Sequence, residues 1–440
     1  MTFFLHQKYL TDELDSLIQD KLILKPDKGL YTTGSEDLVL YHTDDDGVNI
    51  PLGLRKDVEK LLNKKVAMIE QYDKVKITLT QPLKNEKDKD QVVLCKEALN
   101  ILQKDRYCML APYPGYGKTV CSTYLATKLG CKILVICFIV EVRKKWLQYF
   151  QTHTNAKVQI LTSKNLDTKN DTFICGPKAC ASNIEYLSHI GTVIVDECQR
   201  GTEAIFSILT EIRCKYLIGL SGTPDRKGRL DNVFPAFFGN NIIHRFEKKH
   251  FTVIKYNTKY IPTKEQSYFR GRMALNWPKL LKSLCLNDER NDEIVKLCIK
   301  HAKDVIIVFC YFVKQCDYIY QQLFEQEENV VKLNGSETIG NKEYRILVTT
   351  PGKCGIGYDD PRLTMMVMTF SVRDIRQLET RVRRENCTIF DFVDNDVTLE
   401  NHWKIREKWF KKRGANIITR GKSHIISNEM PPKEFFSSHL

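Results

Sequence analysis

The chain of 440 residues has no apolar run approaching the ~20 residues of a transmembrane helix. Among its 15 cysteines there is no Cys-x-x-Cys pair, which argues against a zinc ribbon. The thiols are scattered through apolar stretches such as 131–137, a usage that fits a reducing compartment. The opening residues, Met1 to Lys8, meet charge too soon for a secretory signal or a membrane anchor. No fixed repeat and no low-complexity tract occurs, so repeat architectures are not expected.

What is present is ordinary globular composition, 42% hydrophobic and 28% charged, over a length that suits two or three domains. The net charge of +13 suits a polyanionic partner, and suits a merely basic soluble protein about as well.

The pattern divides the chain into four. Residues 1–85 read as a small N-terminal accessory domain. It carries a turn at Asp44-Asp-Asp-Gly47, a helix over 57–69 and a strand over 75–80. The charged run 84–90 reads as a solvated linker. Residues 86–245 alternate strands and helices, with short apolar strands at 107–111, 133–137, 172–175, 193–195 and 216–220. A second alternation fills 246–415, with strands at 305–309, 345–349, 365–368 and 388–392. Continuous apolar strands of this kind predict buried parallel sheets. The polar tail, 416–440, contains Pro431-Pro432. The fold class expected is α/β, two tandem parallel-sheet domains behind the accessory domain.

Two motifs carry the chemistry. Residues 112–119 read Pro-Tyr-Pro-Gly-Tyr-Gly-Lys-Thr, between an apolar strand and a helix-compatible run. Glycines let backbone N–H groups turn onto phosphates, Lys118 reaches the β/γ-phosphates, and the Thr119 hydroxyl can hold magnesium. Gly115, Tyr116, Gly117, Lys118, Thr119 and Val120 are therefore the expected nucleotide-binding residues. Pro112 stands where Gly or Ala is usual, which stiffens the loop entrance. The second motif, Asp196-Glu-Cys-Gln199, closes an apolar strand. Ligands sit at the carboxyl ends of parallel strands, so Asp196 would hold magnesium and Glu197 would deprotonate the attacking water.

Asp-Glu-Cys-Gln resembles the Asp-Glu-x-His or Asp-Glu-x-Asp box of superfamily 2 helicases, and the resemblance continues. Ser221-Gly-Thr223 resembles their Ser-Ala-Thr coupling motif, with Gln199 standing for the usual His or Asp. The basic residues Arg143, Lys144 and Lys145 fall in the segment that contacts nucleic acid in that family. Residues 350–362 resemble its fifth motif, which puts Asp359 near the ribose. Gln377-Leu-Glu-Thr-Arg381-Val-Arg-Arg384 resembles the sixth motif, with Thr380 for Gly. Gln377 is then a nucleotide-site residue, and Arg381 and Arg384 are expected on one helix face as arginine fingers. Gln91 is the candidate for the family's adenine-reading glutamine, and reads equally as a linker residue. The basic, aromatic-rich stretch 402–414 reads as a nucleic-acid channel or as core. The ending Ile389-Phe-Asp-Phe-Val-Asp394 looks most like the helicases of large cytoplasmic DNA viruses, the poxvirus transcript-release branch.

The resemblance implies two RecA-like lobes with ATP and Mg2+ as cofactors. It implies a motor that moves on or unwinds DNA or an RNA–DNA hybrid, with Lys118, Glu197, Arg381 and Arg384 catalytic. The expected partners are DNA or RNA and the transcription machinery, for a monomer at no membrane. The cytoplasm, a viral factory or the virion is the expected setting. Three rivals stay open. They are a non-catalytic nucleic-acid clamp, a phosphate-loop kinase or metabolic triphosphatase, and a duplex translocase that separates no strands.

Overall fold

The computed structural model describes residues 1–25, 37–66, 72–86, 89–188, 190–200, 206, 208–222, 233–269, 272–334, 343–354, 358 and 360–421. The chain divides into two compact units, Met1–Phe246 and Glu247–Leu440.

The first unit is built on a seven-stranded sheet. Across it run Val158–Ile160, Thr172–Cys175, Ile133–Cys137, Thr192–Asp196, Tyr216–Leu220, Tyr107–Pro112 and Ile242–Arg245, all parallel. The central strands are apolar throughout because both faces are covered. Leu134, Ile136, Val193 and Val195 pack on one face with Met1, Phe3, Leu14 and Ile50. Ile133, Val135 and Ile194 pack on the other with Leu94, Leu125 and Phe150. The N-terminal residues thus share one core with the sheet. Their own antiparallel sheet orders Thr2–His6, Gly47–Pro51 and His42–Asp44, and its last hairpin turns at Asp45-Asp46. Thr2 N donates to the Ile212 carbonyl (2.9 Å), and Arg213 Nε donates to Asn49 Oδ1 (2.7 Å).

Three local expectations change. Residues 75–80 form no strand. Their backbone is laced to the ends of two helices instead, Val75 N to Gly130 O (3.0 Å) and Thr80 N to His153 O (2.8 Å). The expected helix over 57–69 is found as Arg55–Leu61, and residues 67–71 lie outside the described set. The charged run near 84–90 carries two short antiparallel strands, Asn85–Glu86 and Lys89–Asp90.

The second unit repeats the plan. Its seven parallel strands run Val330–Leu333, Ile346–Thr349, Ile306–Phe309, Met365–Met368, Thr388–Val393, Phe251–Asn257 and Ala415–Arg420. Its long helix, Val397–Arg413, starts at Asp396, whose carboxylate accepts from Thr398 N (2.8 Å), and stops at Gly414 with φ 93°. This helix decides the reading of 402–414. His402, Trp403, Arg406, Phe410 and Arg413 face the core, while Lys404, Ile405, Lys408, Lys411 and Lys412 face outward. All 15 cysteines are buried free thiols. No helix among the described residues is long and apolar enough to cross a membrane.

The fully buried pair Arg406–Asp391 pins the helix to the sheet, with Nε–Oδ2 at 2.7 Å and Nη2–Oδ1 at 2.8 Å. Burial holds the Asp391 carboxyl above its usual range despite the guanidinium. Such a pair contributes little net stability while intact, and breaking it strands a buried charge. Asp391→Ala should therefore destabilise the protein by about 3–5 kcal/mol, read as a lower urea midpoint.

Candidate functional site

The phosphate loop joins the strand Tyr107–Pro112 to the helix Lys118–Leu129. Pro112 fits because it ends the strand in register with Arg245, and the next amide, Tyr113 N, donates to the Arg245 carbonyl (3.0 Å). The turn needs glycine twice, with φ at 88° for Gly115 and 105° for Gly117. Gly117 caps the helix with no side chain, which leaves the first-turn N–H groups open. A helix start of this kind attracts phosphate.

The loop is braced from outside, and here the structure assigns Gln91 a position. It opens the helix Gln91–Asp105 and is 3% exposed, so it is no solvated linker residue. Its Nε2 donates to the Tyr116 carbonyl (2.7 Å), and its Oε1 accepts from Lys84 N (2.9 Å). A methyl group on Gly117 would stand 2.4 Å from that Nε2, so the loop and the amide are fitted together. The Tyr116 hydroxyl completes the brace by donating to the Asp90 carbonyl (2.6 Å).

Opposite the loop stand the acids. Asp196 ends its strand buried, at 9% exposure. Its Oδ2 accepts from Trp146 Nε1 (2.8 Å) and its Oδ1 from the Glu197 amide (2.9 Å). Burial and the neighbouring Glu197 charge push the Asp196 carboxyl up to about 6, while Trp146 and Lys118 pull it down. Glu197 takes a left-handed backbone, φ 49°, rare for a residue with a side chain. Lys118 Nζ lies 4.0 Å from Glu197 Oε1, and Gln199 Nε2 donates to Glu197 Oε2. The Gln199 Oε1 is buried with no hydrogen-bond partner among the described residues. Ser221 is fully buried, and a methyl on Gly222 would stand 3.3 Å from Lys118 Nζ. Thr223 lies outside the described residues. The first unit thus brings Gly115, Tyr116, Gly117, Lys118, Thr119, Val120, Asp196 and Glu197 into one neighbourhood at the carboxyl end of its sheet.

The basic segment splits. Lys144 and Lys145 are exposed, but Arg143 turns inward over the backbone of Gly176, where a methyl would stand 3.1 Å from its Cζ. Trp146, the next inward residue of that helix, was not among the expected site residues. It lies fifty positions before Asp196, and nothing in the sequence marks which strand end it reaches.

In the second unit, Gly355, Ile356, Gly357 and Asp359 lie outside the described residues. The neighbouring Asp360 is held by Arg362, with Nη2–Oδ2 at 2.8 Å, and by the Tyr344 hydroxyl. Burial opposes its charge, but those donors win and hold its carboxyl down to about 2. The arginines of the sixth motif do not share a helix face, contrary to expectation. The helix Arg376–Glu379 ends where the Thr380 hydroxyl donates to the Gln377 carbonyl (2.8 Å), and the chain then dives to bury Val382. Arg381 is 8% exposed and donates to the Gln377 carbonyl (3.2 Å), the Tyr358 carbonyl and Thr380 Oγ1 (3.0 Å). Arg384 is exposed and Gln377 half-buried.

Comparison with known proteins agrees with this arrangement. Residues 58–226 match the family described as Type III restriction enzyme, res subunit. The protein named "Putative helicase 161L" of Invertebrate iridescent virus 6 is 28% identical over 374 residues, 77% of this chain and 84% of its own. "Putative helicase 055L" of Frog virus 3 is 26% identical over 338 residues, 73% of this chain and 77% of its own. The solved structure of S. cerevisiae Dbp5 bound to RNA and ADP BeF3 shares the fold, with a TM-score of 0.52 at 14% identity. It covers 74% of this chain and 89% of that one. The chain resembles the superfamily 2 helicases. These are ATP-dependent nucleic-acid enzymes, and as a family they use ATP with magnesium.

The Thr119 hydroxyl and the Asp196 carboxylate fit such an ion in their chemistry. A hydroxyl and a carboxylate are hard oxygen donors, and magnesium asks for one or two of these beside phosphate and water.

Two predictions follow from the acids. A carboxyl whose folded pKa is raised to about 6 binds protons on folding, so its stability contribution is lost as pH rises through that value. Asp196→Asn should therefore raise the melting temperature by about 2–5 °C at pH 8 and leave it unchanged at pH 4. Trp146→Phe, which deletes the N–H on Asp196, should raise the half-saturating magnesium concentration for ATP turnover about 10–100-fold.

Proposed function

We propose that the chain is an ATP-driven motor that moves on or unwinds DNA or an RNA–DNA hybrid. The observation that carries this reading is the meeting of three things at one sheet edge. They are an open, glycine-capped helix start, Lys118 beside it, and the Asp196–Glu197 pair within reach of that lysine.

In this reading the first-turn amides and Lys118 hold the β- and γ-phosphates. Thr119 and Asp196 would hold magnesium, which when bound neutralises charge on the β- and γ-phosphate oxygens. Glu197 accepts the proton of the attacking water. Its carboxylate is oriented by Gln199, with Lys118 Nζ 4.0 Å from the other oxygen. Arg381 and Arg384 neutralise the γ-phosphate during turnover. Arg384 is available as it stands, whereas Arg381 must first release the Tyr358 and Gln377 carbonyls. Gln377 and Asp359 complete the nucleotide site on this proposal. Residues 1–85 serve as the accessory segment, 86–245 and 246–415 as the two helicase domains, and 416–440 as the tail. Grip on the phosphate backbone would give little sequence preference and strong salt dependence. The viral relatives support a viral setting; a monomer serving transcription in the cytoplasm or virion is proposed on the resemblance of the sequence alone.

The test is ATP turnover of the full chain alone and with single-stranded DNA, duplex DNA or RNA. Stimulation by one polymer is expected, with Lys118→Ala lowering turnover about 10²–10³-fold. Arg384→Ala should cost about 10³-fold while ATP still binds. Turnover indifferent to every polymer would favour a metabolic triphosphatase, and polymer binding without turnover would favour a clamp.

A further inference from the structure

The sequence marks Gln91 as a candidate adenine reader, yet the structure shows its amide already spent. To read adenine, a glutamine offers Nε2 to N7 and Oε1 to the N6 amine as a pair. Here Nε2 donates to the Tyr116 carbonyl (2.7 Å) in a buried bond, and Oε1 accepts from Lys84 N (2.9 Å). The partners fix which end is which, since a carbonyl only accepts and a backbone N–H only donates. Gln91 N also donates to the Lys84 carbonyl (3.0 Å). Residues 84 and 91 thus close the base of the short ribbon formed by Asn85–Glu86 and Lys89–Asp90.

The amide is also held by the helix that carries it. Leu94, Ala98 and Leu102 of the helix Gln91–Asp105 share one core with Cys121 and Leu125 of the helix Lys118–Leu129. Cys95 Sγ lies 3.9 Å from the Cys121 carbonyl. Arg245 ties the two parts from another side. Its Nη2 donates to Glu97 Oε2 (2.8 Å) and its carbonyl accepts from Tyr113 N (3.0 Å). The helix start and the phosphate loop are therefore one packed body. Turning the amide toward a base would break both of its bonds and strand the buried Tyr116 carbonyl, and a buried polar group left unpaired is costly. What the brace leaves open is the phosphate side, the first-turn N–H groups and Lys118. Every nucleoside triphosphate presents the same phosphates.

We propose that Gln91 is a positioning residue rather than a base reader, and that the chain selects nucleoside triphosphates by their phosphates, turning over GTP, CTP and UTP as readily as ATP. Guanine decides the matter, because it carries a carbonyl oxygen where adenine carries the N6 amine, and a reading amide would reject it. The inference rests on the motor reading above and names the substrate class of the same site.

The experiment measures turnover of ATP, GTP, CTP and UTP, each with magnesium, by the full chain in wild type, Gln91→Ala and Gln91→Glu. Wild type should give kcat/KM values within about threefold of one another. Gln91→Ala removes the brace, and Gln91→Glu turns a carboxylate oxygen onto the Tyr116 carbonyl. Both should raise KM about tenfold for all four triphosphates and leave their ratios unchanged, which a base reader could not do. A wild type that prefers ATP over GTP by about tenfold or more overturns the inference, as does a variant whose loss is confined to ATP. Variants with the wild-type KM for all four overturn the positioning role. If neither variant folds, the wild-type profile decides alone, a flat one upholding the inference and an ATP preference overturning it. A wild type that turns over no triphosphate overturns the motor reading instead. Calorimetric titration of the four into wild type then decides the selectivity, with equal affinities upholding it and an ATP preference or no binding overturning it.

Discussion

The structure of the first unit depends on one costly placement, a carboxylate at the buried end of a parallel strand. Asp196 cannot ionise there without help, and the help comes from three directions. Trp146 donates to one oxygen, the Glu197 amide to the other, and Lys118 supplies positive charge. These donors fix where the carboxylate points. Glu197 follows directly with a left-handed backbone, φ 49°, its amide on Asp196 Oδ1 and its side chain held by Gln199. Strain of this sort gathers where geometry serves chemistry.

The loop facing these acids is set by a second constraint, that its carbonyls be satisfied without closing its mouth. Gln91 and Tyr116 meet it from behind. The Gln91 amide takes the Tyr116 carbonyl, the Tyr116 hydroxyl takes the Asp90 carbonyl, and the Asp90 side chain caps the helix that carries Gln91 by accepting from Val93 N (2.9 Å). On the proposed reading, the loop is preorganised for phosphate by parts that stand behind it.

Much of this was legible in the sequence because the central strands are buried on both faces and so read as unbroken apolar runs. The strands that escaped notice lie toward the sheet margins. Val158–Ile160 is three residues long, and Ala415–Arg420 ends in polar residues beside solvent. The glycine turn between strand and helix, and the acids at a strand's carboxyl end, were legible because backbone chemistry fixes their pattern. Trp146 was not, since its meaning comes from a strand fifty residues away. The paired arginines misled for a related reason. A spacing of three implies one face only while the helix lasts, and this helix stops at Glu379.

The account is tested most directly by calorimetric titration of ATP into the full chain, with and without magnesium, in wild type and in Asp196→Asn. Burial of Asp196 behind Trp146 predicts that magnesium tightens ATP binding to wild type and loses that effect in the variant. Equal tightening by magnesium in both proteins would contradict the assignment of Asp196, and with it the site built around that carboxylate.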